Sequence, residues 1–273
     1  MSLPTIAQHA KLHGIIPDKK LGQNFLFDLS LCEKIARSAG DISNKFVVEV
    51  GPGPAGLSRA ILNFFPQKLI VIERDKRCLN LLQDVQSTSS NMEILNEDAL
   101  KVQLSSLGHK KLTLISNLPY NIGTELVFRW LDQIEYVDSM TLMLQKEVVD
   151  RICAPVSTKD YGKLSIMCQL ICSTQKQFDV SPQAFYPPPK VISTVVKLIP
   201  KSQQYTKEII ERVRKISTAA FMQRRKMIKS SLKNIQPDIE SLIVSAGISP
   251  ESRAENLTVE DYVNLAELCP FLK

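Results

Sequence analysis

Short apolar runs alternate with segments whose apolar residues recur every three or four positions, and the alternation holds over the first two hundred residues. "KFVVEV", "KLIVIERD", "MEILNEDAL", "KLTLISN" and "SMTLMLQ" are runs of strand length, and each stops at a glycine, an acid or an amide. Between them, Leu31, Ile35 and Ala39, then "GLSRAILNFF", "KRCLNLLQDV" and "ELVFRWLDQI", keep the helical interval. Asp28 and Ser30 both offer an N-cap to the first of these helices, and Ser30 with Glu33 has capping-box spacing. This rhythm predicts a mostly parallel sheet with helices on both faces. "YGKLSIMCQLIC" fits a helix or a strand equally well, and "VISTVVKLI" reads as the last strand. Pro200 and the polar "KSQQ" mark a boundary, beyond which only helical patterns occur. The expected organisation is an α/β domain over residues 1–200, its residues 1–19 a flexible tail, and a small all-helical domain over 201–273.

Composition narrows the function classes. The chain has 273 residues, 44% hydrophobic and 23% charged, enough for a sizeable core plus an appended unit. No apolar run approaches the roughly 18 residues of a membrane span, and the first residues carry no apolar signal region. The six cysteines form no C-x-x-C pair, which points to a reducing, cytoplasmic setting. Cys168 and Cys172 lack histidine neighbours and read as core. His9 and His13, four apart in the expected tail, are not read as a metal site. Net charge is +6, but residues 201–233 alone hold ten Lys/Arg against two Asp/Glu. So concentrated a surplus points to a polyanion partner.

The candidate chemistry sits at strand ends. "EVGPGPAG" matches G-x-G-x-x-G at Gly51, Gly53 and Gly56, between a strand and a helix. Pro52 and Pro54 remove two N–H donors, which argues against a pyrophosphate. Glu73 ends the second strand and suits a ribose diol; Asp98 ends the third and suits an adenine amine. A ribose and an adenine without phosphate describe S-adenosylmethionine. "SNLPYN", residues 116–121, ends the fourth strand beside that crevice. The Asn117 side-chain oxygen and the Leu118 carbonyl, set by the rigid Pro119, can accept both N–H groups of an exocyclic adenine amine. Tyr120 supplies a face on which an extruded base stacks. In "AFYPPPKV" a stiff proline rim carries Phe185 and Tyr186, either of which could cover the other face.

These segments, with "LGQNFLFD", "MLQKEVVDRICAP", "AFMQRRKMIKSSL" and "GISPESRAENLTVEDY", resemble in order the KsgA family of small-subunit ribosomal RNA adenine N6-dimethyltransferases, over about residues 20–265. The resemblance implies a Rossmann-like S-adenosylmethionine-dependent methyltransferase fold with a small all-helical C-terminal domain. It implies dimethylation of two adjacent adenosines in a hairpin near the 3′ end of small-subunit rRNA, within the immature 30S subunit. It further implies donor contacts from Gln23, Asn24, Leu26, Gly51, Gly53, Glu73, Asp98 and Asn117, and Tyr120 with Phe185 around the target base. Arg224, Arg225, Lys226 and Lys229 would meet rRNA phosphates. Arg74 and Met222 depart from the pattern. The expected protein is a cytoplasmic monomer with no membrane partner and no metal. The alternatives are a large-subunit methyltransferase of the macrolide-resistance type and an assembly or transcription factor with the same fold.

Overall fold

The structure, a computed structural model, describes residues 3–18, 21–108, 111–202, 205–236 and 238–269. Contacts divide the chain into two compact units: Met1–Val149 with Gln175–Pro200, and Asp150–Thr174 with Lys201–Lys273. The expected organisation kept 1–200 together. The structure instead groups Asp150–Thr174 with the C-terminal residues, because its helix packs on helices beyond Pro200.

Among the described residues nine strands are formed: β1 (Phe25–Leu26), β2 (Phe46–Val50), β3 (Lys68–Ile72), β4 (Met92–Leu95), β5 (Leu112–Asn117), β6 (Val137–Gln145), β7 (Cys172–Val180), β8 (Phe185–Tyr186) and β9 (Ser193–Pro200). Seven of them make one sheet in the order β4-β3-β2-β5-β6-β9-β7, and β1 pairs with β8 in a separate ribbon. The pairs from β4 across to β6 are parallel, and β9 lies antiparallel to β6. In β2, β3 and β5 nearly every residue is buried, which is why they read as unbroken apolar runs. β7 escaped the pattern because "CSTQKQFDV" is mostly polar and half-exposed.

The helices of the first unit include α1 (Ile6–Leu12), α2 (Leu29–Ser38), α3 (Gly56–Leu62), α4 (Leu79–Ser87) and α5 (Gly123–Leu131), and α6 (Lys146–Ile152) leads out of it. Asp28 caps α2, accepting from the N–H groups of Ser30 and Leu31, so Ser30 lies inside the helix. α7 (Lys163–Ile171) resolves the ambiguous "KLSIMCQLI" as a helix, apolar all round and almost wholly buried. It joins α8 (Lys207–Met222), α9 (Ile228–Ser231), α10 (Ile239–Ser245) and α11 (Val259–Glu267) in the second, helical unit.

The expected flexible tail is, in its described part, ordered; residues 1, 2 and 19 lie outside the described residues. Thr5 and Gln8 form a capping box on α1, and Ile6, His9 and Ala10 are buried. Arg59 on α3 donates to the Pro4 carbonyl and to His9 Nδ1, while the other ring nitrogen of His9 meets Asp84 at 3.0 Å. Sequence periodicity over seven residues was too short to reveal this anchoring.

Candidate functional site

In this sheet the direction of strand order reverses between β2 and β5, and a parallel sheet opens its ligand crevice at such a point. The paired register of β2 and β5 runs Val47↔Thr113 and Val48↔Leu114 and goes no further. Where the strands part, the buried Ser116 hydroxyl accepts from the Val50 N–H at 2.8 Å, filling the place of a backbone partner. The crevice mouth is lined from β2, β3, β4 and β5 by Glu49, Gly51, Glu73, Asp98, Asn117 and Tyr120, and by the segment Leu21–Leu26.

The glycine loop is closed to phosphate by more than its prolines. The Gly51 N–H donates to the Ile72 carbonyl, that of Gly53 to Glu73 Oε2 at 3.2 Å, and that of Ala55 to the Pro52 carbonyl. Every N–H between Gly51 and Ala55 is therefore engaged or absent. Gly53 sits at φ +51° with the Phe25 ring 3.0 Å from where a Cβ would stand, and a Cβ on Gly56 would lie 2.9 Å from the Leu26 carbonyl. The missing side chains let Phe25 and Leu26 press on the loop.

The acids differ in environment. Glu49 is buried, and its Oε2 accepts from the Ser58 hydroxyl at 2.6 Å. Burial, opposed by that bond and reinforced by Glu73, pushes its carboxyl up to about 8. Glu73 is also raised by burial, though the N–H groups of Asp75 and Gly53 hold its two oxygens. Asp98 lies three residues beyond β4, accepts from the Leu100 N–H, and faces the Arg74 guanidinium at 3.7 Å. Arg74, the departure noted in the sequence, thus reaches across the mouth to Asp98.

Asn117 is the last residue of β5. Its Nδ2 donates to the Asn24 carbonyl at 3.4 Å, which leaves Oδ1 as an acceptor. The buried Leu118 is fixed by its N–H to the Met143 carbonyl, and its own carbonyl takes no hydrogen bond among the described residues. The Pro119 carbonyl accepts from Ile122 and Gly123 and so starts α5. Tyr120 is half-buried, with its phenol pushed up by burial.

Phe185 is placed differently from the sequence reading, and Gln23 has partners that the sequence did not show. Gln23 is occupied: its amide donates to Asp75 at 3.0 Å and its oxygen accepts from the Asp18 N–H. Gln23 thereby fastens the Leu21–Leu26 segment to the end of β3, and Gln23, Asn24 and Leu26 all line the crevice wall. Phe185 is 4% exposed, packed in the core opposite Leu26, whereas Tyr186 is 59% exposed. The aromatic presented by this loop is Tyr186. Ser58 and Asp75 were missed; only the position of Asp75 just past Glu73 in "ERDK" gave a signal.

In the second unit Arg224 and Lys229 are paired with carboxylates of that unit. Arg224 pairs with Glu255 at 2.7 Å and donates to the Thr158 carbonyl; Lys229 meets Glu240 and Glu251. Arg225, Lys226 and Met222 are exposed, and neither cation forms an ion pair among the described residues. His9, His13 and Asp84 cluster in the first unit. Arg59 meets His9 Nδ1, and Asp84 meets the Nε2 atoms of both His9 and His13.

Residues 17–270 match the family described as ribosomal RNA adenine dimethylase. The small-subunit ribosomal RNA methyltransferase A of Rhodospirillum rubrum is 43% identical over 97% of this chain and 92% of its own. That of Agrobacterium fabrum is 44% identical over 97% of each. Among solved structures, a dimethyladenosine transferase from Plasmodium falciparum superposes with a TM-score of 0.75 at 25% identity, over 88% of this chain and 95% of that one. The 23S rRNA methyltransferase ErmE superposes with a TM-score of 0.68 at 23% identity, over 90% of this chain and 99% of that one, a likeness of fold.

Proposed function

Because the chain belongs to the ribosomal RNA adenine dimethylase family, we propose that its crevice holds S-adenosylmethionine beside an extruded adenine. The protein is an adenine N6-dimethyltransferase of small-subunit ribosomal RNA. The finer reading is that it modifies two adjacent adenosines in a hairpin near the 3′ end of that RNA, as a cytoplasmic monomer acting on the immature 30S subunit.

The observation that carries this is the character of the crevice: three carboxylic groups and one amide converge on a loop with no N–H to spare for phosphate. That chemistry suits a cationic nucleoside with a free diol. Glu73 would hold the ribose hydroxyls and Asp98 the adenine amine, with Gly51 and Gly53 under the amino-acid part and Asn24 and Leu26 over it. When bound, S-adenosylmethionine supplies a methyl group whose transfer leaves a neutral thioether.

The chain's own residues do the rest. Asn117 Oδ1 and the Leu118 carbonyl accept the two amine N–H groups and localise the nitrogen lone pair. Pro119 keeps that carbonyl in place. The nitrogen becomes cationic as it takes the methyl group, and its proton then passes to water, so no strong base is needed. Tyr120 stacks on the base, worth about 1–3 kcal/mol, and its ring face favours the growing positive charge. Phe185 seats β8, and Tyr186 offers the second aromatic face. Arg225 and Lys226 meet rRNA phosphates.

The test offers labelled donor to immature small subunits and to large-subunit rRNA. Label confined to adenines of the small subunit is expected. Label confined to large-subunit rRNA would move the assignment to the macrolide-resistance type, and donor binding without label in either would favour an assembly factor.

A further inference from the structure

Tyr120 is held from outside its own segment. Its phenolic oxygen lies 2.6 Å from Ser193 Oγ. Ser193 opens β9 and is fully buried, paired in register with Gln145 at the end of β6. Because β9 runs antiparallel to β6, its first residue arrives at the edge where the parallel strands finish. A buried hydroxyl at that place destabilises the fold unless it is paired, and Tyr120 is its side-chain partner among the described residues.

We propose that Ser193 is a positioning residue for methyl transfer, its hydroxyl fixing the Tyr120 ring in the plane that stacks on the extruded adenine. The inference rests on the reading that Tyr120 is the stacking face. A tyrosine ring free at both of its side-chain torsions covers a range of planes, and the bond at its far end selects one. Burial keeps the phenol protonated, so the bond persists through neutral pH. Ser193 also follows directly on the proline-rich loop after β8, so one hydroxyl ties the Tyr120 ring to the end of that loop. Ser193 touches neither base nor donor and acts through Tyr120.

The test is a double-mutant cycle on the full-length protein, with Ser193→Ala, Tyr120→Phe, the pair, and Tyr120→Ala. Turnover on immature small subunits at saturating donor is read beside donor affinity and the melting temperature. Ser193→Ala and Tyr120→Phe are each expected to lower kcat about tenfold, with donor affinity unchanged. The pair should be no worse than either single change by more than about twofold. Should Ser193→Ala melt early, Tyr120→Phe carries the test, because it removes the same bond from a half-exposed side chain. Additive losses, or wild-type turnover in Tyr120→Phe while Tyr120→Ala is impaired, would overturn the inference and leave the stacking reading in place. Wild-type turnover in Tyr120→Ala would overturn both.

Discussion

In the first unit three acids gather where β2, β3 and β4 end, and in the second unit four cations gather just beyond α8. The acids keep their place at the crevice although neighbours bind them: Glu49 to Ser58, Glu73 to two N–H groups, Asp98 to Arg74 at a loose 3.7 Å. The cations separate into two kinds, with Arg224 and Lys229 turned to acids of their own unit and Arg225 and Lys226 left exposed. Strand ends of a parallel sheet are delivered to one edge by topology, whatever their partners. A cation near a helix end has no such address, and nearby carboxylates decide what it does.

The largest effect should come from the crevice. Asn117→Ala is expected to lower turnover by about 10²–10³, the order seen when one transition-state partner is removed. Donor affinity should stay within about tenfold, or ~1.4 kcal/mol. Single-turnover kinetics and equilibrium binding on one preparation check both, and wild-type turnover would break the amine-activation account.

The cations divide next. Arg225→Ala and Lys226→Ala should each weaken RNA binding and flatten its dependence on log salt by about 0.7–0.9. Arg224→Ala should instead cost about 1 kcal/mol of stability, seen in thermal melts, because it abandons Glu255 and the Thr158 carbonyl. A salt slope changed by Arg224→Ala and untouched by the other two would reverse the division.

The smallest effect is a pH dependence. Glu49 keeps its proton in the folded protein up to about 8, against 4.5 for the free side chain. Its contribution to stability is therefore full below 4.5 and is lost as pH rises toward 8. A cationic donor favours the ionised carboxylate, so donor binding should tighten across the upper part of that window. Glu49→Gln should flatten both trends in pH-resolved melts and titrations; unchanged slopes would show that Glu49 does not titrate there.

The same contrast explains what the sequence disclosed. β2, β3 and β5 were legible because full burial demands unbroken apolar runs, and Glu73, Asp98 and Asn117 followed as the polar residues at or just beyond strand ends. β7 was not legible because its residues are polar, and α1 because seven residues carry too little periodicity. Phe185 and Tyr186 are adjacent in a proline-rich loop, where no alternation says which ring is buried; pairing with β1 decides it. The bond that holds Gln23 at the crevice was not legible either, because its partner Asp75 is 52 residues away and reachable only through the fold.

The most direct measurement is a crystal structure of the protein with S-adenosylmethionine or its demethylated product and an adenosine in the acceptor pocket. The account predicts the donor's ribose hydroxyls within hydrogen-bond reach of Glu73, and the acceptor amine between Asn117 Oδ1 and the Leu118 carbonyl over the Tyr120 ring. A ribose bound away from Glu73, or an acceptor amine with neither oxygen in reach, would contradict it.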